Sequence, residues 1–322
     1  TFVIKNTTDY QNNYADGSAS VGLWAARTAG AFGNSLQIST CPSATAYEEV
    51  NKTTVADAAM AVGDTVVTVS SATGISAGDI VNFGDQYEYR VISVSTNDLN
   101  IVRKEEPAYF GTSESSGLHQ APTNGAQVRR RWKYYDLFNK APGTSPAVSA
   151  KGGSGDELHI VVIDEDGEIT GTKGDVLETF EAVSKASDAK DAQGNVNYYP
   201  DVIYKSSNYI YWMDHNAGGS NWGSAANGTT FTDVTAVSNV SLQSGSDGTT
   251  ATTGQRKTAY EKFEDGETVD VGLIIAGAGD ATHIGNLITI AENRKDAVVF
   301  ASPERTDVVG VANANTQKDN VV

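Results

Sequence analysis

The sequence predicts an α+β protein of several domains: an α/β core domain at the C-terminal end, a mixed β-rich domain before it, and a small β-barrel-like module inserted into that β-rich domain. Three observations predict this. Two unbroken apolar runs, VDVGLIIAG (Val269 to Gly277) and DAVVFASPER (Asp296 to Arg305), flank the helical stretch HIGNLITIAENR (His283 to Arg294). That is the order of a βαβ unit, and unbroken apolar strands are those covered on both faces. Between Thr53 and Arg103, the runs DTVVTVSS, DIVNFG, YEYRVISV and LNIVR alternate with turn signals at Thr73-Gly74, Ala77-Gly78-Asp79, Gly84-Asp85 and Thr96-Asn97-Asp98. Short strands at such spacing suggest a small barrel or meander. Third, LHIVVIDEDGEIT (Leu158 to Thr170) reads as a hairpin about Asp166-Gly167, a strong turn dipeptide.

The remaining elements follow in chain order. The opening TFVIKN alternates like a strand, and SLQIS (Ser35 to Ser39) alternates with period two after a Phe32-Gly33-Asn34 turn. A stretch rich in Gly, Ser, Pro and Thr, from Tyr109 to Gly125, reads as a linker out of the inserted module. RRRWKYYDLF (Arg129 to Phe138) returns the chain to the parent domain. Val176 to Lys190 is expected to be helical, with Val176, Leu177, Phe180 and Val183 on one face and Asp175 as N-cap. Pro200 precedes VIYKSSNYIYW, read as an aromatic strand region, and Gly218 to Thr230 as a loop. The expected division is 1–50 with 126–240 as the mixed β-rich domain, 51–125 as the inserted module with its linker, and 241–322 as part of the α/β core. The chain starts without methionine and stops at NVV, after the first turns of a helix from Thr316. It is therefore expected to be part of a longer polypeptide.

Composition narrows the function. The formal charge of the 322 residues is −17, which argues against a nucleic-acid partner, since phosphate binding needs clustered cations. The single Cys41 has no disulfide partner in the chain. No apolar stretch approaches the ~20 residues that span a bilayer.

Candidate chemical sites are each weak. GAGDATHIG (Gly277 to Gly285) joins a strand to a helix with G-x-G-x-x-T spacing, short of a dinucleotide fingerprint, and no GKS or GKT follows. A tight connection capped by Asp280 accounts for it. DEDGE (Asp164 to Glu168) has acidic spacing superficially like a calcium loop, but strands flank it where an EF-hand needs helices. His119, His159, His215 and His283 are scattered without zinc-ligand spacing. Neither Cys41 nor Ser302 has an adjacent base or a nucleophile elbow. RRRWKY (Arg129 to Tyr134) is a basic cluster with aromatics, expected to meet an acidic neighbouring subunit in an assembly. No catalytic, cofactor or metal residue is assigned.

In order and spacing, these motifs resemble the contractile tail sheath proteins of myovirus-type tailed phages. The resemblance is carried by SLQSGSDG (Ser241 to Gly248), the βαβ runs just named, ARTAGAFGNSLQIS (Ala26 to Ser39), DELHIVVIDEDGEITG (Asp156 to Gly171), VLETFEAVSKASDAK (Val176 to Lys190) and NYIYWMDH (Asn208 to His215). It covers roughly 20–50, 140–215 and 235–322. It implies a non-enzymatic virion protein of the tail, assembled in the host cytoplasm. Many copies would wrap helically around the tail tube, in contact with the baseplate and tail terminator, and contract for host entry and genome ejection. It further implies no nucleic-acid partner and no membrane insertion of this chain. A second reading is a surface or glycan-binding adhesin, supported by the β-rich insertion and by Tyr198, Tyr199, Tyr209, Tyr211, Trp212 and Trp222 if these are exposed.

Overall fold

The computed structural model describes residues 4–18, 20–104, 117–231 and 234–321. The protein is a mixed α+β structure whose chain divides into two compact units, Thr1–Asp247 and Gly248–Val322.

In chain order the first unit contains α1 (Thr7–Asn13), β1 (Trp24–Ala26), β2 (Leu36–Cys41), α2 (Ala44–Tyr47), β3 (Glu48–Thr54), β4 (Val66–Thr68), β5 (Ile80–Asn82), β6 (Tyr89–Ser95), β7 (Asp98–Arg103) and β8 (Gln127–Arg131). There follow α3 (Pro146–Ser149), β9 (Glu157–Asp164), β10 (Val176–Ser184), α4 (Tyr199–Ser206), β11 (Ile210–Trp212) and β12 (Ser238–Ser241). The central sheet is antiparallel with strand order β10-β9-β2-β12. All eight positions of β9 are buried, because a core lies on each face. Leu158, Ile160 and Val162 pack with Leu36, Ile38, Phe180, Tyr199 and Ile203. Val161 and Ile163 pack on the other side with Cys41, Trp132, Tyr134 and Phe138.

The helix expected from Val176 is instead strand β10. Its ladder with β9 slips between Phe180 and Val183, where Ala182 takes a left-handed φ of 49°. A bulge absorbs a residue, so Phe180 and Val183 both enter the same core. Inward residues three apart then imitate a helical face. The expected hairpin dipeptide lies in a longer connection between β9 and β10. The Asp164 carboxylate holds that connection closed, accepting from the backbone N–H groups of Gly167, Ile169 and Thr170 at 2.9, 3.0 and 2.7 Å.

The region after Pro200 also differs. Tyr199–Ser206 is helical, with Pro200 in its first turn, where a missing N–H costs nothing. Only Ile210–Trp212 is strand, paired with β1. Tyr199, Tyr211 and Trp212 are buried and Tyr198, Tyr209 and Trp222 half-buried. The aromatic surface on which a glycan-binding reading would rest is therefore mostly core. At the other end of the chain, Thr1–Val3 of the expected opening strand lie outside the described residues, and the chain enters α1 at Thr7.

The second sheet has order β3-β8-β5-β6-β7-β4. Its interior, Val55, Val67, Val69, Tyr89, Val91, Leu99, Ile101 and neighbours, is a cluster of its own. The sheet is not a closed barrel among the described residues. Its edge strands β3 and β4 meet at their ends, where Thr54 O accepts from Ser70 N, Thr68 O accepts from Ala56 N, and Val55 bridges Val69. The expected linker falls partly outside the described residues, at 109–116. In the described part of that stretch, Leu118 is fully buried in the module's core and bonds to Gly63 and Asp64, so this part is packed structure.

The second unit contains α5 (Thr253–Tyr260), β13 (Leu273–Ala278), α6 (Ala281–Arg294), β14 (Val298–Ser302), α7 (Arg305–Val308) and α8 (Ala314–Val321). β13 and β14 pair in parallel, as a βαβ unit requires. Ile274 packs against Leu287 and Ile290 of α6. The expectation that both faces are covered does not hold within this unit. Leu273, Ile275, Val298 and Phe300, cross-strand partners on the opposite face, are 52, 70, 59 and 59% exposed. One helix covers one face of a two-stranded sheet, and no described element of the unit covers the other.

Two tests follow from this packing. Ile274→Asp should place an unpaired charge against α6 and cost roughly 3–5 kcal/mol, whereas Ile275→Asp should change stability by no more than about 0.5 kcal/mol. Thermal melting of the two variants checks this, and equal losses would contradict the one-sided packing. Separately, Thr54 and Gln127 are directly opposed on β3 and β8. Replacing 55–126 with Asn-Gly, a two-residue hairpin turn, together with Val128→Thr should leave the remainder of the first unit cooperatively folded. Loss of a cooperative melt would show that the excised sheet supports the central one.

Candidate functional site

The residues singled out in the sequence are mostly occupied in building the fold. In the connection from β13 to α6, Asp280 is the N-cap of α6 and accepts from His283 N at 2.7 Å. That hydrogen bond is the main reason its carboxyl lies below the ordinary range. Gly277 supplies a φ of 68°. A Cβ on Gly279 would lie 2.6 Å from the His283 ring, so the ring fills the space over the turn. Around Asp164, burial opposes ionisation, but the donors from Thr170, Gly167 and Ile169 outweigh it and hold its pKa low. Asp164 is thus saturated by its own loop. No group of three or more His, Cys, Asp or Glu side chains among the described residues is arranged to hold a metal.

Cys41 is fully buried, and burial pushes its thiol up to about 12, so it carries no thiolate near neutrality. His159 is fully buried and stacks on Phe138 at 4.3 Å. Its Nδ1 accepts from Ala182 N at 2.9 Å, which makes Nε2 the donor to Lys140 O at 2.8 Å. This neutral tautomer pins the β10 bulge, and burial lowers the pKa of the ring.

The arginine cluster is neutralised within the chain, not presented as a basic patch. Arg130 is buried and reaches Asp79 at 3.2 Å and the carbonyl of Ala46 at 2.7 Å. Arg131 pairs with Glu48 at 2.9 Å and with Glu88, and Arg129 lies 3.4 Å from Glu48. An open cleft of about 430 Å³ beside them is lined by Arg129 and Arg131 but also by Asp85 and Glu88.

Two other places were not legible as sites. The first is a clasp between two motifs far apart in the chain. Asn34 bonds both ways to Gly245, Oδ1 accepting from its N–H at 2.7 Å and Nδ2 donating to its carbonyl at 2.9 Å. Asp247 Oδ1 accepts from Ala31 N at 2.7 Å. Gly30 has φ 115°, and a Cβ there would collide with the Asp247 carboxylate; a Cβ on Gly245 would collide with the Gly30 carbonyl. Both glycines are thus required by close approach. Arg27, a few residues earlier, donates to Ile203, Tyr204 and Ile210 carbonyls and lies 4.4 Å over the Tyr211 ring. It closes the C-terminal end of α4, where a cation also suits the helix dipole. The AARTAGAFGNS and SGSDG motifs therefore fix where the chain leaves the first unit. The second place is the apolar strip Leu273, Ile275, Val298 and Phe300.

With this geometry in place, similarity to known proteins can be stated. No protein-family model matches the chain. The chain is 25% identical over 341 aligned residues to a tail sheath protein of Salmonella phage ViI, an alignment taking in 99% of this chain and 47% of that protein. The chain thus spans about half the length of the curated relative it matches. The likeness runs through both units and the second sheet alike.

A pH test isolates the bulge. The folded pKa of His159 is depressed, so the unfolded chain binds the proton more readily. Its contribution is complete above the ordinary value of about 6.5 and is lost as pH falls through the folded pKa. The melting temperature should drop with acidification below that value, and His159→Asn, which keeps an acceptor but cannot titrate, should show a shallower slope. Parallel slopes would remove His159 from the account.

Proposed function

We propose that the chain is a structural subunit of a phage contractile tail sheath. Copies polymerise helically around the tail tube, between baseplate and tail terminator, and contraction drives the tube through the host envelope for genome ejection. The observation that carries this reading is the alignment of 99% of the chain with the tail sheath protein of Salmonella phage ViI. The exposed apolar strip on the parallel sheet gives it physical support, since contiguous exposed apolar surface marks contact sites.

On this reading 241–322 belongs to the α/β sheath core. Residues 1–50 with 126–240 form the mixed β-rich domain, and 51–125 is a module inserted into it. The subunit is not an enzyme and takes no cofactor; it sits in the virion tail after assembly in the host cytoplasm. Contraction needs no catalysis. It needs two packings of one subunit, with the contracted lattice lower in free energy and a barrier held by neighbouring tail components. Rigid-body movement suits domains joined by flexible linkers.

The test is electron microscopy of the polypeptide expressed at the full length of its coding sequence. Tubes of regular diameter are expected, and an Ile275→Asp, Phe300→Asp pair should abolish them while leaving the melting curve intact. A full-length protein that stays monodisperse across concentration and salt would refute the sheath reading.

A further inference from the structure

The segment that carries the chain out of the first unit changes character at one residue. Up to Leu242 it is held by packing. Leu242 lies against the core that contains Leu36 and Ile38, and its N–H donates to Leu36 O at 2.9 Å. From Gln243 to Thr252 no described residue joins an apolar core, none is in a helix or strand, and all but Gly245 are exposed. What holds 243–247 to the unit is hydrogen bonding to a single 3₁₀ turn, Ala31–Ser35. Asn34 makes its two bonds to Gly245, and Ala31 N donates to Asp247 Oδ1, all at exposed positions.

An exposed hydrogen bond is exchanged for one to water at little net cost. Segments with few apolar contacts and exposed hydrogen bonds open locally, without global unfolding. Closure also holds Ser244 at a φ of 66°, a left-handed conformation that a non-glycine residue leaves once it is free to. The bonds share one turn on one side and two nearby residues on the other, so they break together. Opening then has a geometric result. With the clasp closed, the chain between the compact units is 248–252, which extends to at most about 17 Å. With the clasp open, the free stretch is 243–252, and the limit rises to about 35 Å.

We infer that the clasp of Asn34 and Ala31 with Gly245 and Asp247 is a latch that sets the tether between the two units to one of two lengths. Closed, the tether begins at Gly248. Open, it begins at Gln243, with Leu242 anchored in both states. The first unit stays folded throughout, since 243–247 supply nothing to its cores. The latch belongs to the single chain and does not rest on assembly into a sheath.

The test uses the whole chain. Amide hydrogen exchange is followed by NMR at Ala31, Leu242 and Gly245 across low denaturant concentrations. Ala31 and Gly245 are expected to exchange through one common opening that denaturant does not accelerate, and Leu242 through a rarer one that it does. Asn34→Ala should speed exchange at Ala31 roughly tenfold, although Asn34 makes no bond to that amide. Asp247→Ala should do the same at Gly245, whereas Asp247→Asn, which keeps the accepting oxygen, should leave both rates near those of the unaltered chain. Spin labels at Ser149→Cys and Glu292→Cys read the tether, both positions being exposed and Cys41 buried. Their distance distribution should reach longer values in Asn34→Ala. Exchange at Ala31 and Gly245 only by global unfolding would overturn the latch. So would effects confined to the altered bond, an unchanged label distribution, or the loss of a cooperative melt in either alanine variant.

Discussion

The first unit depends on a strand that is buried along its whole length. β9 has a core on each face, so its polar backbone must be satisfied by neighbours, and β10 and β2 do this on its two edges. Carboxylates stand where the strand begins and ends. Asp156 accepts from Ser145 N and Ser184 Oγ at 2.8 and 2.6 Å. Glu157 takes Lys140 and Gly143 N, both at 3.0 Å, and Asp164 ties down the following loop. Buried acids are tolerable only with such complete partnership. The loops at both ends of β9 are thereby fixed by the same residues that bound it.

Much of this was legible. LHIVVID reads as a strand, though only as one arm of a hairpin and not as a strand covered on both faces, and the βαβ order at 269–305 was plain from apolar runs around an amphipathic helix. What failed did so for identifiable reasons. The bulge at Ala182 placed Phe180 and Val183 on one side of a strand, and spacing alone cannot separate that from a helix. The aromatics near 198–222 looked like surface because local polarity was high, yet Tyr199 is held by Trp212 Nε1 at 2.9 Å and by His215 at 2.6 Å. That network joins residues whose proximity only the fold creates. The clasp of Asn34 with Gly245 bridges a still longer separation, so no local signal could reveal it. The exposure of Ile275 was missed because a strand's hydrophobicity tells that a cover is needed but not which element supplies it.

The cations show a common use. Arg27, Arg130, Lys185 and Arg294 all donate to backbone carbonyls, Lys185 to Pro42 and Gly155 at 2.7 Å each, and Arg294 to Phe263, Val269 and Val271. These groups serve as internal ties, where a planar or tripod donor satisfies carbonyls that secondary structure leaves open. Buried acids such as Asp79, Asp156, Glu157 and Asp164 are internal ties of the opposite sign, and the chain as a whole carries a net charge of −17.

That has a consequence for any assembly built from this chain. Like-charged copies repel at a distance, and the repulsion weakens with salt over a Debye length of about 8–10 Å. Short-range attraction must then come from surface that is not acidic. The strip of Leu273, Ile275, Val298 and Phe300 offers apolar area of that kind, on a strand pair rigidly backed by α6. Apolar contact is non-directional, so it fixes that a partner binds without fixing its angle. Charge, by contrast, penalises wrong angles more than it rewards right ones. A lattice governed by both would hold its subunits together through changes in their mutual orientation, with the orientation set by whichever acidic surfaces can avoid one another. Two packings of similar free energy are easier to reach under such a division of labour than under a contact that supplies both adhesion and register.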